Sequence, residues 1–358
     1  MALPGFIKIK LANHRLSAPL QSPAAITSAL CAIQAQDYLG ALWTIGVRTA
    51  AATEPDIEKE IAGKKIVRTW LMRGTLHFAA AEDVGWMLEL LAPKGIAKAA
   101  SVQKQLGLNK NIFSKCEKIL VRHLRGGNGV AREELYELLN RSRISTEGHR
   151  GLHIIGNLAQ RGVICYGPRQ GKTHTFVLLD EWVDPAPKKT RTEALRDLAM
   201  RYFEGHGPAT TKDLAWWSGL TNTESKTATD LAAPDLRREK WNNCEWYFSK
   251  ERPVSAKKVK PVFLLPGFDE YLLGQDTRSL VYPTDHTIRA PSNGLLSAKI
   301  ILNGIVCGEW RRVISGKECL VNFQLNSTLT AGQRRELEAA ADRFGNFVGK
   351  TITVKETR

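Results

Sequence analysis

The chain has 358 residues, which is room for two or three domains of about 100 to 200 residues each. With 43% hydrophobic and 24% charged residues, it is not a disordered, collagenous or low-complexity protein. Its apolar runs are far shorter than the roughly 18 residues that span a bilayer. The residues from Met1 to Lys10 lack the pattern of a secretory signal. We therefore expect a globular protein of the cytoplasm.

The chain is strongly basic. Its net charge is +15, from 51 Lys and Arg against 36 Asp and Glu, and the excess is spread along the length. A basic balance is the electrostatic footprint of binding to nucleic acid, because phosphate contacts release counterions. The alternative is a basic surface that only maintains solubility. The six cysteines form none of the close pairs of a zinc site, so we expect no metal and no cofactor.

The first predicted elements are two helices and a hairpin. Ser22 and Pro23 are typical of a helix start, and the apolar spacing predicts that this helix ends within residues 34–40. A short helix follows at 54–61, and the run KIVRTWLMRGTLHFAA predicts two strands that turn at Arg73-Gly74. Helices followed by a hairpin are typical of a winged helix.

The same order of elements returns twice. Three predicted helices within residues 117–162 lead to two strands around a basic turn at 167–173. After a Pro-containing linker at 184–189, three more predicted helices lead to a short hairpin near 241–248. Helix-turn-helix units with a wing present a helix or a hairpin to duplex DNA, although three-helix units are also a common packing solution.

From Lys260 onward the sequence changes to short β-rich runs. Asn303-Gly304 predicts a hairpin turn, and a last helix at 331–344 precedes a final strand. The sequence therefore predicts an α+β fold of three tandem winged-helix (helix-turn-helix) domains followed by a small C-terminal β-barrel. The predicted domains are residues 1–100, 101–188, 189–255 and 256–358, the last comprising the barrel and the terminal helix.

The basic turn at 167–173 is a candidate for contact with DNA. It is similar to a phosphate-binding P-loop, but three residues separate its glycines instead of four and a strand pattern follows it, so we exclude ATP binding. Arg169 and Lys172 are expected to contact phosphates or enter a groove, unless the turn is only solvated. Lys212, on a later predicted helix, is a further candidate phosphate contact.

Gln34 and Gln36 lie in the most unusual stretch, CAIQAQDYLGALWTIGVRT. On a regular helix their side chains point about 200° apart, so they share a face only if the chain has left helical geometry by Gln36. An amide donates and accepts hydrogen bonds at once, so such a pair can orient a nucleophilic water without a charge. By spacing alone, ordinary structural amides are the favoured interpretation.

Several ordered motifs over nearly the whole chain resemble the AlkZ/YcaQ family of winged-helix DNA glycosylases. In chain order they are Q-A-Q-D-Y (34–38), W-x-I-G-x-R (43–48), R-T-W-L-M-R-G-T-L-H-F (68–78), G-P-A-T-x-x-D-x-A-W-W-S-G-L (207–220), L-P-G-F-D-E-Y-L-L-G (265–274) and N-G-x-V-x-G-x-W-R-R (303–312). The resemblance implies tandem winged helices and a C-terminal β-barrel in a C-shaped scaffold around double-stranded DNA.

The resemblance also implies excision of alkylated bases, including interstrand crosslinks and bulky N7-alkylguanine adducts. The family's catalytic signature is Gln-x-Gln or Gln-x-Asp, and Gln34 and Gln36 match the first form as catalytic residues. Asp37 lies one position beyond the aspartate of the second form. Arg48, Arg68, Arg73 and His77 flank the same region, which the sequence places in one domain. They are expected to contact phosphates beside the lesion, with surface or core-capping roles as the alternative.

The expected function is that of a monofunctional DNA glycosylase, because no lysine occupies the glutamine motif to form a Schiff base. The alternative is a non-catalytic winged-helix protein, either a transcriptional regulator or a binder of alkylation damage. A regulator is commonly a symmetric dimer on a palindrome, whereas three unlike tandem units favour a monomer. We expect the protein at the nucleoid of a bacterium.

Overall fold

The computed structural model describes residues 4–185, 188–251, 260–275, 280–282 and 297–357. The chain divides into two compact units. The terminal unit comprises Met1–Ile57 and Arg196–Arg358, and the central unit comprises Glu58–Leu195. Both combine helices and strands, so the fold class is α+β, as predicted. None of the helices in the described ranges is long and apolar enough to cross a membrane.

The terminal unit contains elements from both ends of the chain. They are α1 (Pro4–Asn13), α2 (Pro23–Ala29), β1 (Ile33–Gln34), α3 (Tyr38–Gly46), α10 (Arg191–His206, which enters from the central unit), α11 (Thr211–Ser218), α12 (Asn222–Ala232), a 3₁₀ turn (Ala233–Asp235), β7 (Leu236–Trp241), β8 (Cys244–Ser249), β9 (Val262–Leu265), α13 (Glu270–Leu273), β10 (Lys299–Leu302), β11 (Ile305–Ser315), β12 (Glu318–Leu325), α14 (Ala331–Val348) and β13 (Thr351–Thr357).

The central unit begins within helix α4 and ends within α10. Its elements are α4 (Glu54–Ala62, shared with the terminal unit), β2 (Ile66–Met72), β3 (Thr75–Ala80), α5 (Ala81–Gln105), α6 (Lys110–Leu124), β4 (Val130–Ala131), α7 (Arg132–Arg141), α8 (Arg150–Gln160), β5 (Ile164–Tyr166), β6 (Thr175–Leu178) and α9 (Leu179–Trp182). Within this unit the strands lie in the order β3-β2-β5-β6-β4, with antiparallel pairs.

The predicted hairpin turns are confirmed. Arg73 and Gly74 have φ of 56° and 75°, and Asn303 and Gly304 have φ of 51° and 88°. Positive φ at both central residues is the backbone of a two-residue turn whose twist matches that of the flanking strands. The strands around the basic turn are also confirmed, as β5 and β6.

The predicted end of the first helix is wrong. Ser22 caps α2 as expected, and its Oγ accepts a hydrogen bond from Ala25 N at 3.4 Å. The helix nevertheless ends at Ala29, and Cys31 follows with φ of 64°. Gln34 therefore lies in the short strand β1 and not on a helix. Contacts from distant parts of the terminal unit cause this early end, as described below.

The core of the terminal unit joins the N-terminal helix to C-terminal strands. Phe6 on α1 packs against Trp241, Trp246 and Phe248, with ring centroids 5.7 to 6.0 Å apart. The same cluster of buried residues includes side chains of β9, β10 and α13. Residues that are far apart in sequence thus form one core.

The C-terminal strands form a sheet in the order β13-β12-β11-β10-β9, with β12 and β13 parallel and the other pairs antiparallel. Helix α14 packs on this sheet, where Phe344 lies 5.2 Å from Trp310 between ring centroids. Among the described strands β9 and β13 stay at opposite edges, so the predicted closed barrel is not confirmed. The four domain boundaries and the number of winged helices also stay predictions. Ala186 and Pro187 of the expected linker, and the expected boundary at 255/256, lie outside the described residues.

Candidate active site

The two motif glutamines lie on a non-helical segment between α2 and α3. Gln34 is 9% exposed, and Gln36 is exposed in the bend that precedes α3. Two amides at this spacing reach the same side only if the chain has left helical geometry before the second one. The structure meets this condition, because the chain is no longer helical at Gln36. Gln34 is thus nearly buried, whereas Gln36 is exposed to solvent. This arrangement suits a pair that meets a substrate from outside.

The buried carboxylate of Glu270 holds the backbone of this segment. Gln34 N donates to Glu270 Oε1 at 2.7 Å, and Trp217 Nε1 donates to Glu270 Oε2 at 2.9 Å. The Glu270 side chain is almost fully buried, so each hydrogen bond to the charged group contributes strongly, and about 1.5 to 3 kcal/mol is typical. The sequence indicated the motif that contains Glu270 but not its role.

Arg48 and Asp269 form a fully buried ion pair at the end of α3. Arg48 Nη1 and Nη2 donate to the two oxygens of Asp269 at 2.8 and 2.6 Å. The guanidinium also donates to the carbonyl oxygens of His14 and Thr44, each at 2.8 Å. This burial contradicts the predicted phosphate contact of Arg48, because its donors already have partners inside the protein. The surface alternative is excluded as well, and the core-capping alternative is the correct one.

Asp37 caps helix α3 and pairs with a distant arginine. Its Oδ1 accepts from Gly40 N at 3.1 Å, and Arg312 Nη2 donates to both carboxylate oxygens at 2.8 and 3.2 Å. A Cβ at Gly40 would lie 2.5 Å from Asp37 Oδ2, so the close approach requires glycine there. These contacts assign Asp37 a structural role beside the glutamines.

Asp37→Asn and Asp37→Ala separate this structural role from a chemical one. Asparagine is as good an N-cap as aspartate, so we expect stability within about 1 kcal/mol of wild type, whereas alanine costs about 1 to 2 kcal/mol. Base release by Asp37→Asn should stay within about 3-fold of wild type, because ordinary surface ion pairs contribute little. Urea denaturation and single-turnover assays measure the two effects. Loss of base release in a stable Asp37→Asn protein would assign the carboxylate a chemical role.

A buried polar cluster lies next to this region in the terminal unit. Lys10 Nζ donates to Gln275 Oε1 at 3.1 Å and lies 3.3 Å from His14 Nε2. Burial lowers the pKa of Lys10 to about 7. Burial likewise lowers the pKa of His206 to about 3, and His206 Nε2 lies 3.0 Å from the carbonyl oxygen of Leu30. Nothing in the sequence pattern marked these residues.

Acid should destabilise the protein through its buried histidines. Burial lowers the pKa of His14, His77 and His206, and each unfolded imidazole titrates near pH 6.5. Between the two pKa values the unfolded state binds more protons, so the free energy of unfolding falls as the pH drops from about 6.5 towards 3. Urea titrations from pH 7.5 to 4.5 measure this fall. His206→Asn should reduce it more than the exposed control His123→Asn does. An unchanged fall in His206→Asn would contradict the assignment.

The hairpin of β2 and β3 in the central unit carries three more predicted contacts. Arg68 is nearly buried and lies over the Tyr166 ring, with its guanidinium carbon 4.6 Å from the centroid. His77 is fully buried, with Nδ1 3.0 Å from the carbonyl oxygen of Thr75, so the predicted phosphate contact of His77 is wrong in this structure. Arg73 is partly exposed at the turn, and its Nη2 lies 3.5 Å from His77 Nε2.

The remaining basic candidates lie at or near the surface. Arg169 is partly exposed and forms an ion pair with Glu58 at 2.5 Å. Lys172 at the tip of the β5–β6 hairpin and Lys212 on α11 are both exposed. Arg68, Arg73, Arg169, Lys172 and Lys212 therefore stay predicted DNA contacts. In the part of the chain that the structure describes, no three His, Cys, Asp or Glu side chains have the arrangement of a metal site.

Comparison with known proteins agrees with this architecture. A sequence profile of the family described as "DNA glycosylase AlkZ-like" matches residues 27–347. The "Interstrand DNA cross-link repair glycosylase" of Streptomyces sahachiroi is 27% identical over 317 residues, which cover 82% of this chain and 84% of that protein. The solved structure of the Streptomyces sahachiroi DNA glycosylase AlkZ has a TM-score of 0.76 with this chain at 23% identity, covers 98% of both chains and shows the same fold. The chain belongs to the AlkZ-like family and is a DNA glycosylase.

Proposed function

We propose that this DNA glycosylase hydrolyses the N-glycosidic bond of N7-alkylated guanine, in bulky monoadducts or interstrand crosslinks, and leaves an abasic site. The observation that carries the proposal is the non-helical conformation of the Gln34–Gln36 segment. Glu270 holds this conformation through its hydrogen bond with Gln34 N. Gln34 and Gln36 are the proposed catalytic residues. The name of the Streptomyces sahachiroi relative supports a role in crosslink repair.

Neutral amides suit this substrate. Alkylation at N7 makes guanine cationic and therefore a good leaving group, so the enzyme needs to position a water and stabilise an oxocarbenium-like sugar. Each amide both accepts and donates hydrogen bonds, which orients a water without a strong base. Hydrolysis releases the free base, and the water oxygen forms the new bond to the sugar carbon. With no lysine in the motif, no Schiff base forms and the DNA strand stays intact.

The proposed substrate-binding residues are basic. We infer a monomer of three tandem winged-helix domains with a C-terminal barrel, which binds double-stranded DNA through Arg68, Arg73, Arg169, Lys172 and Lys212. A crosslinked base cannot leave the duplex freely, so attack without full flipping fits this substrate.

Lys172→Gln and Lys212→Gln test the DNA contacts one at a time. Each phosphate contact adds about one to the slope of log Kd against log salt, so each variant should lower that slope by about 1 and weaken binding of all sequences equally. Lys226→Gln is the matched control, because Lys226 is exposed but already paired with Asp230. Fluorescence anisotropy over a salt series measures the effect. A slope equal to that of the control would exclude the lysine from the interface.

The decisive experiment measures products from DNA that carries N7-alkylguanine monoadducts or interstrand crosslinks. We expect free base and alkali-labile abasic sites without strand cleavage, and no covalent complex after borohydride reduction. Release of base with borohydride trapping would contradict monofunctional hydrolysis. If no substrate releases base while wild type and Gln34→Ala/Gln36→Ala bind the DNA equally, the proposed N7-alkylguanine substrate is wrong.

A further inference from the structure

If α2 continued through Gln34, one backbone hydrogen bond would join Leu30 and Gln34. In the structure, side chains contact both the donor and the acceptor of that bond. In a continued helix, Gln34 N–H would donate to the carbonyl of Leu30, four residues earlier. In the structure Gln34 N donates to Glu270 Oε1 at 2.7 Å instead. The Leu30 carbonyl oxygen accepts from Ala32 N at 2.7 Å and lies 3.0 Å from His206 Nε2, which can only donate to it. The donor and the acceptor thus both keep partners without the helix.

The two side chains suit these positions chemically. Glu270 supplies an acceptor, and its second oxygen accepts from Trp217 Nε1 at 2.9 Å. Within the described residues Nδ1 of the buried His206 ring has no hydrogen-bond partner, which fits a neutral imidazole that carries its proton on Nε2. Trp217 packs against both His206 and Tyr202, with ring centroids 4.9 and 5.1 Å apart. The carboxylate is therefore fixed on both of its oxygens.

The element that carries Glu270 is also held in place. Asp269 caps the short helix α13 through Tyr271 N at 2.9 Å and is clamped by the buried Arg48. A buried carboxylate is unfavourable unless hydrogen bonds satisfy it, and here one of its bonds goes to the backbone of a motif glutamine. The buried Glu270 carboxylate therefore keeps all of these hydrogen bonds only while the backbone of Gln34 keeps this conformation.

We propose that Glu270 is a positioning residue for base excision. His206 has the corresponding role at the carbonyl oxygen of Leu30. The Glu270 carboxylate holds the backbone of Gln34 in the extended conformation and so sets the direction of the Gln34 amide. This inference rests on the proposed catalytic role of Gln34. Glu270 does not touch the substrate, and it acts only through the backbone of Gln34.

Glu270→Gln tests the proposal with little change in size. One end of the new amide is an NH₂ donor, which must face either Gln34 N–H or Trp217 Nε1–H. We expect single-turnover base release to fall by about 10- to 100-fold, the scale of a small misplacement of a catalytic group, with the Kd for DNA unchanged. In a Gln34→Ala background the same substitution should change the rate by less than about 3-fold, since the amide it positions is already gone.

Tyr271→Phe is the matched control, because Tyr271 lies on the same short helix and its Oη donates to the Gly304 carbonyl at 2.8 Å. Its rate should stay within about 3-fold of wild type. Trp217→Phe is a second test variant if Glu270→Gln does not fold. It removes one donor to the carboxylate and should lower the rate by about 3- to 10-fold, again only when Gln34 is present. Wild-type rates in Glu270→Gln, or an equal loss in the Gln34→Ala background, would overturn the proposal.

Hydrogen exchange at the Gln34 amide provides a readout that does not need activity. We expect Glu270→Gln to accelerate exchange at this amide by at least about 10-fold relative to Tyr271→Phe, because the N–H loses its carboxylate acceptor. If wild type releases no base and exchange still depends on Glu270, the proposed reaction is wrong while the backbone contact stands. If exchange does not depend on Glu270, the positioning role is wrong whatever the activity.

Discussion

Gln34→Ala and Gln36→Ala should each lower the rate of base release by about 100- to 1,000-fold, or roughly 2.7 to 4 kcal/mol of barrier. This is the scale of losing one preorganised hydrogen-bond partner of a transition state. In the proposed mechanism the amides position the water and not the DNA backbone, so we expect the Kd for damaged DNA to change by less than about 3-fold. The double variant should lose little more than either single one, because two groups that orient one water act as a unit.

Single-turnover assays on one N7-alkylguanine substrate, with enzyme in excess, separate this loss from product release. Gln105→Ala is the matched control, because Gln105 is an exposed glutamine at the end of α5 in the central unit. Gln36→Ala should also keep the stability of wild type, since the side chain is exposed. If both single variants release base at the control rate, the glutamines are structural amides and the proposed mechanism is wrong.

Arg48→Met should lower the free energy of unfolding by about 3 to 5 kcal/mol. The substitution leaves Asp269 buried without its guanidinium partner, and removing one member of a buried pair costs this much because the remaining charge is uncompensated. The loss should appear in urea or thermal unfolding of the terminal unit, followed by tryptophan fluorescence. Because the chain has two compact units, the transition of each must be resolved before a free energy is assigned.

The partner variants show whether the pair itself causes the loss. Arg48→Met combined with Asp269→Leu should be less destabilised than the sum of the single variants, since no charge is left without a partner. Arg334→Met is the matched control, because Arg334 pairs with Glu356 at the surface, where ion pairs contribute little to stability. A loss in Arg48→Met no larger than in this control would contradict the structural assignment of Arg48. Arg48 would then again be a candidate phosphate contact.

The elements that depend on neighbouring residues were determined by the sequence alone. The Ser22 cap, the Arg73-Gly74 and Asn303-Gly304 turns and the helix that begins at Ala331 all follow local backbone chemistry. The family was also evident from the sequence, because its motifs occur in order along nearly the whole chain. Local rules were sufficient where the hydrogen-bond partner of a group lies within a few residues.

The tertiary structure alone decided the conformation and surroundings of the glutamines. The apolar spacing of α2 favoured a longer helix, but Gln34 N donates to Glu270, 236 positions away, and the Leu30 carbonyl oxygen lies 3.0 Å from His206 Nε2, 176 positions away. Arg48 looked like a phosphate contact because nothing local shows that Asp269 lies 2.6 Å away in the core. Hydrophobic packing pays for the burial of these polar groups, and that packing joins α1 to the C-terminal strands. A sequence pattern contains only local partners, so it could name the site residues but not the contacts that hold them.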